Sequence, residues 1–454
     1  MTLRKPGGGS LVMEQQRRLD YLIHPATSAL QGRIQVPGDK SISHRAVILG
    51  ALAAGASECR GFLDSADTRA TMAALRQMGV QMSLEGEHLC VNGVGLHGLS
   101  APPAALDLGN SGTSARLLLG VLAGQRFSTT LCGDESLQRR PMRRVADPLN
   151  AMQAEVQITP DGALPARITG NRRLRAIRYE LPVASAQLKS ALLLAGLYAE
   201  GETVLTEPAP TRDHTERMLA HFGCPIARAG AQLRLSSRPL QANALQIPGD
   251  ISSAAFLLVA ASIVPGSDVL IEGVGLNPTR HAVLEILRLM GADLSIDNRV
   301  EASGEPRADL RVKYRPLQGI TIPRALVPVA IDEFPAIMAA AAHARGETVL
   351  HGAAELRVKE SDRIAALAAG LQNLGLRVAT SPDGLRVQGG RPDAGVVHSY
   401  GDHRIAMAFA ITALAATGPV TVQDCKNIDT SFPGFIRCIQ QIGWEISDKA
   451  VRID

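Results

Sequence analysis

A framework that recurs along a chain limits its fold more than any single motif, because each copy must bury its apolar face against the next. Residues 36–55 read VPGDKSISHRAVILGALAAG, residues 247–266 read IPGDISSAAFLLVAASIVPG, and the two align without a gap. They are two of six. Apolar runs begin at 41, 110, 185, 251, 331 and 402 and close at Gly55, Gly124, Gly201, Gly266, Gly346 and Gly418. A β-branched piece such as ETVLTEP or SDVLIEG follows each glycine, and a second signature, as in LRQMGVQMSL and LRLMGADLSI, comes later. There the period changes from helix to strand across a glycine suited to a helix C-terminus. Each unit therefore reads β-α-β-α-β-β. Its first helix is apolar all round and should be buried on every side; its second is amphipathic.

Six units in two sets of three imply an α/β chain of two similar domains, with sheets outside and buried helices within. Residues 33–245 form the first expected lobe and 246–454 the second, with the 21–32 strand lying alongside the second. Residues 1–20 contain PGGGS, lack apolar periodicity and read as a mobile extension, not a secretory signal.

Composition excludes several classes. The net charge of +4 is too small for a nucleic-acid field, and aromatics at 3% make stacked bases a poor expectation. Six scattered cysteines without a C-x-x-C read as reduced thiols, neither disulfides nor a zinc site. No apolar run reaches membrane-spanning length uninterrupted. The reading is a cytoplasmic protein.

The polar turns differ sharply between units. A helix N-terminus carries free N–H groups and a positive dipole end, so helices pointing the same way converge on an anion-binding face. Unit one places Lys40, Ser41 and Arg45 there, two cations against the dipole, which favours a bound anion; His44 reads as a partly solvated side chain. Unit two offers GNSGT, with Asn110, Gly112 and Thr113, then QRRPM, where Arg140 precedes Pro141 and could fork onto a carboxylate or phosphate. Arg139, Arg143 and Arg144 read as solvated. Unit three supplies Ser185, Ala186 and Gln187, then Arg212. Unit five places Asp332 at the mouth of an apolar helix, equally readable as a cap or a functional carboxylate. It then packs Arg357, Lys359, Glu360 and Arg363 together, with Lys359 and Arg363 on one face if helical. Unit six gives Asp402, His403 and Arg404. Unit four has no charge after Asp250 and reads as scaffold.

PGDKSISHR, GNSGT, QRRPM, ASAQ, RVKESDR and GDHR, in this order, resemble the 5-enolpyruvylshikimate-3-phosphate synthase family over almost the whole chain from about residue 30. TRDHTE, ASAQ and TSFP resemble its second, bacterial class. The resemblance implies an inverse α/β barrel-like (prism) fold of two lobes closing over substrate. It implies transfer of the enolpyruvyl group of phosphoenolpyruvate to shikimate 3-phosphate, without metal or organic cofactor. Matched motif by motif, Lys40, Ser41, Arg45, Ser185, Ala186, Gln187, Arg212, Asp332 and Lys359 would hold shikimate 3-phosphate. Lys40, Asn110, Gly112, Thr113, Arg140, Gln187, Arg363 and Arg404 would surround phosphoenolpyruvate. Asp332, Glu360, Lys40 and Lys359 would carry the chemistry. A glycine at position 112 goes, in the family, with sensitivity to glyphosate. The partners expected are these small molecules, with no nucleic acid or membrane, and a monomeric chain. One departure stands out: Thr430 occupies a place where the first class carries a Lys.

Three rivals share parts of this pattern. UDP-N-acetylglucosamine enolpyruvyl transferases use a loop cysteine where this chain has Glu135, and Cys132 reads as a structural thiol. RNA 3′-phosphate cyclases need a charge field that is absent here. A non-catalytic anion-binding scaffold would need no acid/base pair, which Asp332 and Glu360 supply.

Overall fold

The apolar runs form six helices, Lys40–Leu52, Gly112–Ala123, Ala186–Gly196, Ile251–Ile263, Phe334–His343 and His403–Ala413, here called the first to sixth buried helices. The computed structural model describes residues 19–170 and 173–444. Every residue of the fourth and sixth helices is buried, as an aliphatic surface on all sides requires. Five of the six are capped by the side chain before them: Asp39, Ser111, Ser185, Asp250 and Asp402 each accept a backbone N–H of the first turn. Glu333 precedes the fifth without such a bond. Asp332 lies one residue further out and pairs with side chains instead of capping the helix.

Among the described residues six small sheets cover these helices, and no barrel of strands closes. Units two and three follow the expected order. In unit two, Leu106–Asp107 runs parallel to Ser128–Cys132, which continues into the hairpin of Glu155–Gln157 and Ala166–Thr169. Unit three repeats this with Arg178–Glu180, Glu202–Thr206 and the hairpin Ala227–Ala229 and Gln232–Ser236. In unit six, Tyr21–Ile23 pairs antiparallel with Val420–Gln423.

Units one and four exchange their leading strands, which repetition alone does not show. Gln31–Gln35 runs parallel to Asp268–Gly275 in the sheet of unit four, and Ala244–Gln246 runs parallel to Ala54–Arg60 in that of unit one. Residues 33–35, expected with the first lobe, thus belong to the sheet of the second set. The chain crosses itself where the two PGD turns meet. Gly38 bridges Gly249, Asp39 N–H donates to Pro248 O at 2.9 Å, and Asp250 N–H donates to Pro37 O at 2.9 Å. Two hydrophobic clusters flank the crossing, one from Ile42 to Ile247 and one joining Ile23–Val36 to residues 251–444.

The expected 1–20 extension lies outside the described residues up to 18. Its last two residues are tied down: Cys425 N–H donates to Leu19 O and Asp424 N–H to Asp20 Oδ1.

The second and third buried helices pack closely, and a Cβ at Gly120 would overlap the carbonyl oxygen of Ala191. Alanine is the better helix former by about 1 kcal/mol, but backbone cannot yield as a side-chain tip can. Gly120→Ala should lose about 1–3 kcal/mol, as overpacked cores do, read as a lower urea midpoint at unchanged slope. An undiminished midpoint would show that the two helices can separate freely.

Candidate active site

The starts of both helices of a unit, not only the buried one, meet at the crossing. Lys40 and Ser41 open the first buried helix, Gly112 and Thr113 the second, Ala186 and Gln187 the third. From the second helices come Asp67 at the head of Ala66–Gln77, Arg140 and Arg144 around that of Arg143–Ala151, and Arg212 ahead of His214–His221. Arg280 precedes Ala282–Leu289, and Lys359, Glu360 and Arg363 lead into Arg363–Asn373. All of these line one cleft of about 100 Å³ with Arg45, Arg116, Asp250, Asp332, Glu355, Val358, His403 and Arg404. Ten Lys and Arg face five Asp and Glu there. Such a surface attracts anions.

Of the residues that the resemblance assigns to substrates or to the chemistry, only Asn110 and Ser185 lie off this lining. Ser185 lines an adjoining cavity of about 370 Å³ with Ala186, Gln187, Arg212, Asp332 and Lys359. Asn110 stands behind Arg140 and accepts from its Nη2, while Nη1 lies 3.4 Å from Glu360 Oε1. Gln187 links two helix starts, donating to Thr113 Oγ1 at 3.1 Å and accepting from Arg116 Nη1 at 3.0 Å. Arg45 is buried and donates to Thr215 Oγ1 and Ser190 Oγ, both at 2.7 Å. Lys40 Nζ donates to Asp67 Oδ2 at 2.9 Å.

Two carboxylates organise the cations. Asp332 pairs with Arg212 from the N-terminal half, with Lys359 Nζ at 3.3 Å and with Arg363 Nη1 at 3.5 Å, and its carbonyl oxygen accepts from Arg404 Nη1 at 3.0 Å. Glu360 accepts from Arg363 Nη2 at 2.7 Å and from Arg140. Arg363 thus stands between the two, itself anchored by Nε on Asp402 Oδ2 at 2.8 Å. Burial opposes the charge on Asp332, but Arg212, Lys359, Arg404 and Arg363 outweigh it and hold the carboxyl well below the usual range. Burial likewise opposes Glu360, and Arg363, Arg140, His403 and Lys40 hold it well below.

Several local readings change. Lys359 and Arg363 do not share a helical face. Lys359 is extended after the 3₁₀ turn Ala354–Val358, and Asp362 caps a helix that begins only at Arg363. They converge because both reach Asp332. His44 is fully buried, with Nδ1 2.7 Å from Thr71 Oγ1, and burial followed by Lys40 and Arg45 keeps it neutral. Arg144, read as solvated, pairs across the cleft with Glu355 at 3.2 Å. Asp250 is more than scaffold, since Oδ2 accepts from Lys40 N–H at 3.2 Å. Thr430 donates to Asn427 O at 2.7 Å and stands 3.5 Å from His403 Nδ1, too short to replace a cation in the cleft. Glu135 is exposed and pairs with Arg139, while the half-buried Cys132 bonds Leu106 O.

Arg116 and Arg280 were missed. Arg116 lies inside an apolar helix, where a lone Arg has no local signal; it donates to Gly112 O, Gln187 Oε1 and Pro141 O. Burial, then Arg144 and Arg140, lower its pKa to about 9. Arg280 did have a signal, because the tripeptide PTR occurs at 210–212 and again at 278–280.

Among the described residues no cluster of His, Cys, Asp or Glu could hold a metal ion, and no helix is long and apolar enough to cross a membrane. The family model "EPSP synthase (3-phosphoshikimate 1-carboxyvinyltransferase)" matches residues 25–439. A 3-phosphoshikimate 1-carboxyvinyltransferase of Alkalilimnicola ehrlichii is 57% identical over 94% of this chain and 96% of its own. That of Methylococcus capsulatus is 59% identical over 92% and 96%. The solved EPSP synthase of Acinetobacter baumannii superposes with a TM-score of 0.85 at 48% identity, over 94% of this chain and 99% of its own. The enolpyruvyl transferase NikO of Streptomyces tendae shares the fold at 19% identity and a TM-score of 0.76. From six repeats, a cation-lined cleft and these likenesses together, the chain belongs to the EPSP synthase (3-phosphoshikimate 1-carboxyvinyltransferase) family.

Proposed function

We propose that this enzyme transfers the enolpyruvyl group of phosphoenolpyruvate to the 5-hydroxyl of shikimate 3-phosphate, releasing phosphate. The observation that carries this reading is the pair Asp332 and Glu360, bridged by Arg363 and ringed by cations from both halves of the chain. The hydroxyl attacks C2 of the enol while C3 takes a proton; phosphate then leaves as C3 gives a proton up. That needs an acid/base pair and fixed positive charge for two phosphates and a carboxylate.

Asp332 is ionised and suited to accept the hydroxyl proton beside Lys359. Glu360 is also ionised while Arg363 and Arg140 face it alone. Phosphoenolpyruvate bound on Arg140, Arg363, Arg404 and Lys40 would cancel that field and raise the Glu360 pKa, so its acid role arises with substrate. Shikimate 3-phosphate would lie on Ser41, Arg45, Ser185, Ala186, Gln187 and Arg212, toward the adjoining cavity. The pairs Arg140–Glu360, Arg144–Glu355 and Arg212–Asp332 join the two halves across the cleft, and incoming anions would compete with these carboxylates for their cations. The UDP-N-acetylglucosamine reading is not favoured, because its cysteine position is the exposed Glu135.

The direct test mixes protein with phosphoenolpyruvate, with and without shikimate 3-phosphate. Phosphate release should require both and collapse in Lys40→Met; release with UDP-N-acetylglucosamine instead would move the chain to the rival reaction.

Glyphosate should inhibit. A Cβ at Gly112 would lie 2.7 Å from Arg116 Nη1 and 3.1 Å from Arg140 Nη1. Gly112→Ala must displace both side-chain tips, so inhibition should weaken by about ten-fold, the equivalent of one weakened contact, and the KM for phosphoenolpyruvate should rise. An unchanged inhibition constant would refute the placement.

Stability tests the ionisation of Asp332. Its folded pKa is depressed, so its contribution is full above the unfolded pKa of about 4 and disappears as pH falls through the folded value. The stability gap between wild type and Asp332→Asn should be widest near neutrality and narrow below about pH 4 in urea titrations. A gap constant down to the acid limit of folding would rule it out.

A further inference from the structure

Arg280 is almost fully buried and meets three buried carboxylates. Nη1 donates to Asp39 Oδ2 at 2.6 Å, and Nη2 donates to Ser252 Oγ at 2.6 Å with Asp250 Oδ1 and Glu333 Oε1 both at 3.3 Å. These partners stand at the starts of three helices. Asp39 caps the first buried helix, Asp250 caps the fourth and Glu333 precedes the fifth. Each is also one step from a reacting group. Asp39 precedes Lys40, Asp250 accepts from Lys40 N–H, and Glu333 follows Asp332. Its repeat counterpart, the PTR arginine Arg212, pairs with Asp332 itself. The adjacent carboxylates Asp332 and Glu333 are thus each held by one of the two.

We infer that Arg280 is a positioning residue that fixes Lys40 and Asp332 relative to one another by tying together the starts of the first, fourth and fifth buried helices. Lys40 and Asp332 come from opposite sides of the crossing, and no bond joins them directly among those described. A planar fork can serve several acceptors at set angles, which a lysine ammonium cannot reproduce. Small displacements of reacting groups cost rate steeply. Of the cations that would bind phosphoenolpyruvate from elsewhere, Arg140 and Arg363 are anchored independently of the fork, on Asn110 and Asp402, while Arg404 rests on the carbonyl oxygen of Asp332. Losing the fork should therefore harm turnover more than that substrate's binding.

The inference rests on the transferase reading, and its test separates the two. Wild type and Arg280→Lys are compared by phosphate release from phosphoenolpyruvate and shikimate 3-phosphate, at a temperature where circular dichroism shows both folded. The expected result is a fall in kcat of at least about ten-fold, as for an ångström-scale misplacement, with the KM for phosphoenolpyruvate within about three-fold. An unchanged kcat in the folded variant overturns the inference, whereas an inactive wild type overturns the transferase reading instead. Independently of turnover, a crystal structure of Arg280→Lys should show the starts of the first and fifth helices shifted by about 1 Å relative to each other; unshifted helices overturn the inference. If Arg280→Lys does not fold, Glu333→Gln loosens only the link to the fifth helix. A several-fold loss of kcat in that variant supports the inference, and full activity overturns it.

Discussion

The antiparallel meeting of Gly38 and Gly249 is the constraint from which the rest of the molecule follows. Two chain segments more than two hundred residues apart cross there, each donating a backbone N–H to the proline carbonyl of the other. Glycine is required on steric grounds: a Cβ at Gly38 would overlap the carbonyl of Gly61, and one at Gly249 would press on Val36. Because the leading strands are exchanged, neither half completes its sheets without the other. Asp39 and Asp250, immediately after the crossing, cap the helices on either side and share Arg280. Helix direction, cap and cleft are set together at this point.

Gathering so many helix N-termini and cations would be self-repelling if nothing interleaved them. Asp332, Glu360 and Asp402 do so, the last wholly buried beneath Arg363. A buried ion pair adds little net stability once desolvation is charged against it, while an unpaired buried charge is costly. The network therefore does more to fix where each charge sits than to hold the fold together. That arrangement suits a reaction in which incoming anions take over cations that the carboxylates hold beforehand.

Much of this was legible in the sequence. The all-apolar runs determined six buried helices, since no other packing satisfies an aliphatic surface on every side. The polar residues opening those runs determined an anion-binding face, and most of the residues read there line the cleft. Local pattern failed where partners are distant. Lys359 and Arg363 looked like helical neighbours because spacing alone cannot show that Asp362 starts the helix between them. Arg144 looked solvated because its partner, Glu355, is 211 residues away. Arg116 looked like nothing at all, and Arg280 was hidden in a repeat of only three residues.

The sequence by itself determined the repeat, the buried helices, the caps and the kinds of charge at each turn, because these depend on periodicity and on contacts within a few residues. Only the tertiary structure decided that units one and four exchange strands, that Asp332 faces cations instead of capping its helix, and that one arginine joins three helix starts. Strand pairing and charge pairing across a cleft depend on which surfaces the closed fold brings together, and repeat units with interchangeable strands do not encode that choice locally.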